Sequence, residues 1–245
     1  METVKELQGF SGSRIYLMKD NSRLFVRKIG NVKRNYERLS FLSSHNFSVP
    51  KIYNYEHDVL DLEYIHGLDM KKYLQSNDIN LLKKFIFDTL DAFAQHSVVK
   101  DYTEVYQNKL QWIDRNPDLP FTKLQLIDRL PAQLPSSIYH GDLTLENILY
   151  SNGQFYMIDG AFVEYDSYVF DIAKMRQDLE CKWFLRQSDL KIDIKVQNLQ
   201  TEIFKRYPIA KDNYLLILML LRVLAHARDK FNYDFLIREI KRLWK

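Results

Sequence analysis

The chain has 245 residues, with 35 Lys and Arg against 32 Asp and Glu and a formal charge of +3. That length suits one large domain or two small lobes. A charge so mild, with no block of like sign, neither demands nor excludes nucleic acid, and no nucleic-acid partner is expected. A single cysteine, Cys181, excludes an intrachain disulfide.

Residues 4–9, 14–19 and 23–29 are short, β-rich and separated by Ser/Gly and Asp/Asn turns, which reads as strands. The start, Met1-Glu2-Thr3-Val4-Lys5-Glu6, carries no apolar signal core, so the reducing cytoplasm is the expected compartment. Residues 32–44 have helical periodicity, with Tyr36, Leu39 and Leu42 on one face. Pro50 opens Lys51-Ile52-Tyr53-Asn54-Tyr55, and Val59-Leu60-Asp61-Leu62-Glu63 completes a second strand pair. From Gly67 onward the pattern is mostly helical. Helices are expected over 81–96 and, as one or two pieces broken by Asn116-Pro117 and Leu130-Pro131, over 100–134. They resume over 169–183, 189–207, 213–228 and 232–244. The most apolar run, residues 214–221, meets Arg222 well short of the about 20 residues a bilayer requires, so it reads as a buried helix and no membrane span is expected.

Three stretches carry chemistry. In Gly9-Phe10-Ser11-Gly12-Ser13-Arg14, between the first two strands, glycine permits close backbone approach and consecutive amides form anion-binding nests, although Ser/Gly pairs are also ordinary hairpin material. In Leu24-Phe25-Val26-Arg27-Lys28-Ile29, alternation puts Lys28 on one face with Leu24 and Val26, and Arg27 competes with it for the inward position. In Ile138-Tyr139-His140-Gly141-Asp142-Leu143-Thr144-Leu145-Glu146-Asn147-Ile148-Leu149, four residues separate Asp142 from Asn147, the spacing of the H-x-D-x-x-x-x-N catalytic loop. The alternating Gln154-Phe155-Tyr156-Met157-Ile158 then reads as a strand that delivers Asp159 from a rigid base. A carboxylate for the acceptor hydroxyl, then an amide and a second carboxylate for metal, is an order that suits phosphoryl transfer from a magnesium nucleotide.

His140-Gly141-Asp142 in place of the protein kinase H-R-D, with Asn147 and Asp159 in register, resembles the aminoglycoside phosphotransferase and choline kinase branch of the protein-kinase-like fold. The resemblance implies an α+β, two-lobed architecture. Residues 1–64 would be a small antiparallel sheet with one helix that binds nucleotide, and residues 65–245 a mostly helical lobe for catalysis and acceptor binding. It implies roles as well. Asp142 would be the base or positioning carboxylate for the acceptor hydroxyl, and Asn147 and Asp159 would hold Mg2+. Lys28 would meet the ATP phosphates with Glu37 as its counter-ion, although Glu37 equally reads as a surface charge beside Arg34 and Arg38. Gly9, Ser11, Gly12 and Ser13 would line the phosphates. Glu63, Tyr64 and Ile65 would present backbone groups to adenine. His140 would brace the loop, and Asp171 in Tyr168-Val169-Phe170-Asp171-Ile172-Ala173-Lys174 would cap a helix and tie the loop down. The chain departs from the pattern at Thr144, where many relatives carry a second histidine, and at Gly160, where an aromatic is common. Glu164-Tyr165-Asp166 either faces the acceptor or forms an exposed loop.

The expected function is ATP-dependent phosphorylation of a small-molecule hydroxyl on a sugar or glycan precursor, an amino alcohol or an aminoglycoside-like compound. The first is preferred, because no strong acidic cluster announces an aminoglycoside pocket. Most of the 16 Tyr, 15 Phe and 3 Trp fall at helix or strand spacing and read as core rather than as a cation cage. The alternative from another class is a pseudokinase that binds nucleotide or protein, against which Lys28, Asp142, Asn147 and Asp159 are all present. A protein kinase is disfavoured by the absent H-R-D arginine and the lack of an A-P-E-like segment.

Overall fold

Short alternating segments at the start of the chain pair into a sheet because each has only a turn's length to the next. The computed structural model describes residues 1–7 and 13–245, so the expected phosphate-loop residues Gly9, Ser11 and Gly12 lie outside the described residues. Strands β1 (Glu2–Leu7), β2 (Arg14–Asp20) and β3 (Arg23–Ile29) precede helix α1 (Lys33–Ser44), and β4 (Ile52–Glu56) and β5 (Val59–Glu63) follow it. All neighbours in the sheet order β1-β2-β3-β5-β4 are antiparallel. Leu39 and Leu42 of α1 are fully buried, as the helical spacing requires.

A two-residue strand β6 (Leu68–Asp69) leads into α2 (Met70–Ser76), where the Asp69 carboxylate accepts from Lys72 N–H at 2.9 Å as N-cap. Then come α3 (Asn80–Ala94), β7 (Val98–Asp101), α4 (Thr103–Lys109), α5 (Lys123–Ile127) and β8 (Gln133–Ser136). The hairpin β9 (Ile148–Ser151) and β10 (Gln154–Met157) turns through Asn152 and Gly153, both at positive φ. β6 adds to this hairpin with Leu68 opposite Tyr150. The chain ends in α6 (Tyr168–Leu179), α7 (Asp193–Arg206), α8 (Asn213–Leu224) and α9 (Lys230–Leu243). The apolar run 214–221 lies in α8, buried from Leu215 to Leu221, and among the described residues no helix is long and apolar enough to cross a membrane.

Two local expectations change. The segment 100–134 is not purely helical, because β7 and β8 pair with Val98 opposite Ser136. Val98 and Val99 are 72% and 70% exposed, so this ladder rests on backbone hydrogen bonds and leaves no apolar alternation to read. Asp171 is not the cap of its helix. Ser167 takes that position and accepts from Val169 N–H at 3.1 Å, while Asp171 lies buried in the first turn, where a carboxylate complements the helix dipole.

The chain divides into two compact units that are discontinuous in sequence. One comprises Met1–Asp78 with His140–Val163, the other Ile79–Tyr139 with Glu164–Lys245. This differs from the boundary expected between residues 64 and 65. The first unit reclaims residues 140–163 because β6 pairs with β9 and because Met157 N–H donates to the Ser48 carbonyl at 2.9 Å.

Gly67 sits where β6 enters the hairpin, and a Cβ there would lie 2.3 Å from the Tyr150 carbonyl oxygen. Gly67→Ala should therefore cost about 1–3 kcal/mol in a urea unfolding titration, the usual range for forced overpacking. A midpoint equal to that of the unsubstituted protein would contradict this close approach.

Candidate active site

An ammonium group held among apolar neighbours needs an opposite charge. Lys28 on β3 has a side chain only 6% exposed, and its Nζ bonds to the Asp159 carboxylate. Arg27, its competitor, points to the other face. It forms a bidentate pair with Asp61 across the β3–β5 ladder at 2.7 Å for each bond, and its guanidinium lies 5.4 Å from the Phe25 ring. The inward lysine is thus Lys28.

The Asp142 loop is held by its own neighbours. Asn147 Nδ2 donates to the Asp142 carbonyl at 2.8 Å and to Asp142 Oδ2 at 3.0 Å. Its amide nitrogen is committed to Asp142, so its amide oxygen is the atom available to a cation. Asn147 N–H donates to the carbonyl of buried Thr144 at 3.1 Å, closing a short 3-10 turn over Leu145–Asn147. His140 is fully buried, and its Nδ1 receives Asp142 N–H at 3.3 Å, the bracing role expected of it.

Gly141 has a physical reason for replacing the H-R-D arginine. Its φ is +88°, and any Cβ would stand 2.1 Å from the Ala161 carbonyl oxygen. The His140 carbonyl accepts from Ala161 N–H at 3.0 Å, which draws the two loops together at this point.

Asp159 arrives differently from expectation. β10 ends at Met157, and Asp159 follows two residues later with φ 61°, in the left-handed region that Asp tolerates better than most residues. The strand alone does not aim it. Ile158 N–H donates to the Asn147 carbonyl at 2.9 Å, which sets the two candidate metal ligands side by side, and Lys28 holds the carboxylate itself. Asn35 Nδ2 donates to the Gly160 carbonyl at 2.7 Å.

Glu37 does not meet Lys28 in this structure. It faces Lys33 one helical turn back at 3.7 Å, with both side chains well exposed, because α1 turns Arg38, Leu39 and Leu42 inward instead. Ser13 stands beside Gly30, where an added Cβ would lie 3.4 Å from the serine hydroxyl oxygen. Glu63 closes the β5 end: its N–H donates to the Lys51 carbonyl at 2.8 Å and its carboxylate accepts from Lys51 N–H at 3.1 Å, and Ile65 is buried just beyond. Asn35 and Arg38 are the residues that sequence reasoning missed. Their signal was the stripe 35, 38, 39, 42, a helical inner face with two polar members.

The second compact unit settles the two carboxylates of Glu164-Tyr165-Asp166. Glu164 pairs with Lys109 at 2.8 Å. Asp166 accepts from Lys100 at 2.8 Å, Tyr102 at 2.9 Å and Ser136 at 2.9 Å. Burial, reinforced by that bond to Asp166, pushes the Tyr102 phenol up and keeps it a donor. Asp166 is therefore the anchor of a structural network.

Among the described residues no group of three or more His, Cys, Asp or Glu side chains is arranged to hold a metal. Asn147 and Asp159 supply two hard oxygen donors, enough for a magnesium ion that takes its other ligands from phosphate and water.

The model of the phosphotransferase enzyme family, APH, matches residues 3–191. The chain belongs to this family. Solved structures share the fold of this chain at low identity. A thermostable mutant of aminoglycoside phosphotransferase APH(4)-Ia, in ternary complex with AMP-PNP and hygromycin B, is 11% identical with a TM-score of 0.69, covering 98% of this chain and 92% of that one. A protein from Haemophilus somnus named as a fructosamine-3-kinase is 15% identical with a TM-score of 0.66, covering 98% and 90%. Choline kinase LicA from Streptococcus pneumoniae is 15% identical with a TM-score of 0.56, covering 99% and 94%. Among curated proteins no match to this sequence is found.

Gly141→Ala should destabilise the protein by about 3 kcal/mol in chemical unfolding, since it combines a left-handed backbone with a backbone collision. A loss below about 0.5 kcal/mol, the scale of an ordinary surface change, would show that the loop is not held against Ala161 as described.

Proposed function

We propose that the protein transfers the γ-phosphate of ATP, carried with Mg2+, to a hydroxyl group of a small molecule. One observation carries this reading. Within a single compact unit, Asp142 is fixed by Asn147, Asn147 is tied through its backbone to the residue before Asp159, and Asp159 pairs with Lys28. A lysine 131 positions away in sequence joins three residues of one local stretch, in the order that phosphoryl transfer needs.

In this reading Asp142 accepts the proton of the acceptor hydroxyl at a carboxylate oxygen. The Asn147 bond to Oδ2 restricts how that carboxylate rotates, so it is already oriented when the hydroxyl arrives. Asn147 and Asp159 hold the cation, which when bound supplies positive charge to the phosphate oxygens. Lys28 exchanges part of its contact with Asp159 for the phosphates, and Ser13 with Gly9, Ser11 and Gly12 offers amides and hydroxyls to them. Glu63 and Ile65 give backbone groups to adenine. Nothing in the fold or the comparisons favours the pseudokinase alternative.

A sugar or glycan precursor is the acceptor class we favour. The structural neighbours are named for fructosamine, aminoglycoside and choline, and the group of these compounds that phosphoryl transfer would use is a hydroxyl. In this chain Glu164 and Asp166 are engaged by Lys109 and Lys100, which speaks against a strongly cationic acceptor there. Cytoplasmic residence accords with a lone, buried cysteine.

Asp142→Asn should slow transfer by about 10²- to 10⁴-fold with nucleotide affinity nearly intact, the range for a positioned base. Unchanged turnover would remove Asp142 from that role. Asp159→Asn should abolish the magnesium-dependent part of ATP binding in calorimetry. Equal magnesium dependence in both proteins would show that Asp159 is not a ligand.

A further inference from the structure

Asp159 takes a left-handed backbone conformation, one that Asp tolerates better than most residues, and the strand before it has already ended. What holds it lies on both sides. Ahead of it, Ile158 is tied to Asn147. Behind it, α1 takes hold of residues 160–162. Asn35 Nδ2 donates to the Gly160 carbonyl at 2.7 Å, and Phe162 N–H donates to the Arg34 carbonyl at 3.0 Å.

Arg38 explains the glycine at 160. Its side chain is 3% exposed, and a Cβ at Gly160 would stand 3.1 Å from Arg38 Cγ and 3.3 Å from the His140 ring. The volume that a side chain at 160 would take is therefore already filled. The Arg38 guanidinium lies 5.4 Å from the Phe162 ring and 5.1 Å from the Phe41 ring, within cation–π range of both. The helix residue that turns inward is an arginine, and the loop residue opposite it has no side chain.

We infer that Asn35 and Arg38 are positioning residues for Asp159. They clamp the backbone that follows the carboxylate, whereas the expected helix contact, from Glu37 to Lys28, is not formed. This rests on the reading of Asp159 as a magnesium ligand. Residues that orient a metal ligand without touching the metal typically change metal affinity when removed.

Asn35→Ala is the discriminating variant. Alanine is the better helix former, so α1 is not threatened by the change. AMP-PNP affinity of the full chain is measured by calorimetry in EDTA and in magnesium. The unsubstituted protein should bind more tightly in magnesium. In Asn35→Ala that gain should shrink about 10-fold, the lower end for loss of an orienting partner, with affinity in EDTA unchanged. Arg38→Ala should lose the gain in the same selective way, and Arg38→Lys, which keeps the stem over Gly160, should retain most of it. A full magnesium gain in Asn35→Ala overturns the clamp alone. Equal losses in EDTA and magnesium overturn a positioning role in favour of a purely structural one. No magnesium gain in the unsubstituted protein overturns the reading of Asp159, and the clamp with it.

Discussion

The ion pair between Lys28 and Asp159 is the contact on which the site depends. A lysine side chain 6% exposed on the inner face of a sheet is tolerable only beside a counter-charge. Removing one member of a buried pair typically costs about 3–5 kcal/mol, reduced here because Asp159 keeps 37% exposure. The pair adds to the β6–β9 ladder and the Met157–Ser48 bond that join residues 140–163 to the N-terminal residues. A charge deep in β3 reaches across 131 positions of sequence for its partner. In the proposed reaction the pair has a chemical use as well, since a carboxylate and an ammonium in contact can divide between a cation and a phosphate.

Around that pair, backbone approaches backbone where side chains are missing. Gly141 lets the Asp142 loop press against Ala161, and Gly160 leaves room for Arg38 and His140. These positions are where the sequence departs from protein kinases and from many small-molecule kinases. The departures therefore have steric causes. An H-R-D arginine has no place to put its Cβ at 141, and an aromatic at 160 would displace the buried guanidinium stem.

Much of the candidate site was legible because spacing encodes it. Asp142, Asn147 and Asp159 lie on a local stretch whose order alone suggested their roles, and alternation in β3 narrowed the inward cation to Lys28 or Arg27. Helices with apolar stripes, such as α1 and α8, were equally readable, as was the α+β arrangement of a small antiparallel sheet before a mostly helical remainder. What escaped depends on contacts between distant residues. Asp159 leaves its strand before it is used, and no local pattern announces a left-handed residue. Glu37 and Arg38 are adjacent charged residues on one helix, and only tertiary packing decides which of them turns inward. The β7–β8 ladder has exposed valines and so no burial pattern. Ser167 displaced Asp171 as helix cap because capping depends on where the backbone first becomes helical.

Membership in the phosphotransferase enzyme family and the convergence of Lys28, Asp142, Asn147 and Asp159 support one reaction class. The most direct test is to incubate the purified protein with magnesium ATP and a pool of hydroxylated small molecules, sugars and amino sugars foremost, and to follow the mixture by mass spectrometry. The account predicts that one acceptor gains a single phosphoryl group with stoichiometric formation of ADP. Nucleotide binding with no phosphorylated product from any hydroxyl class would contradict it.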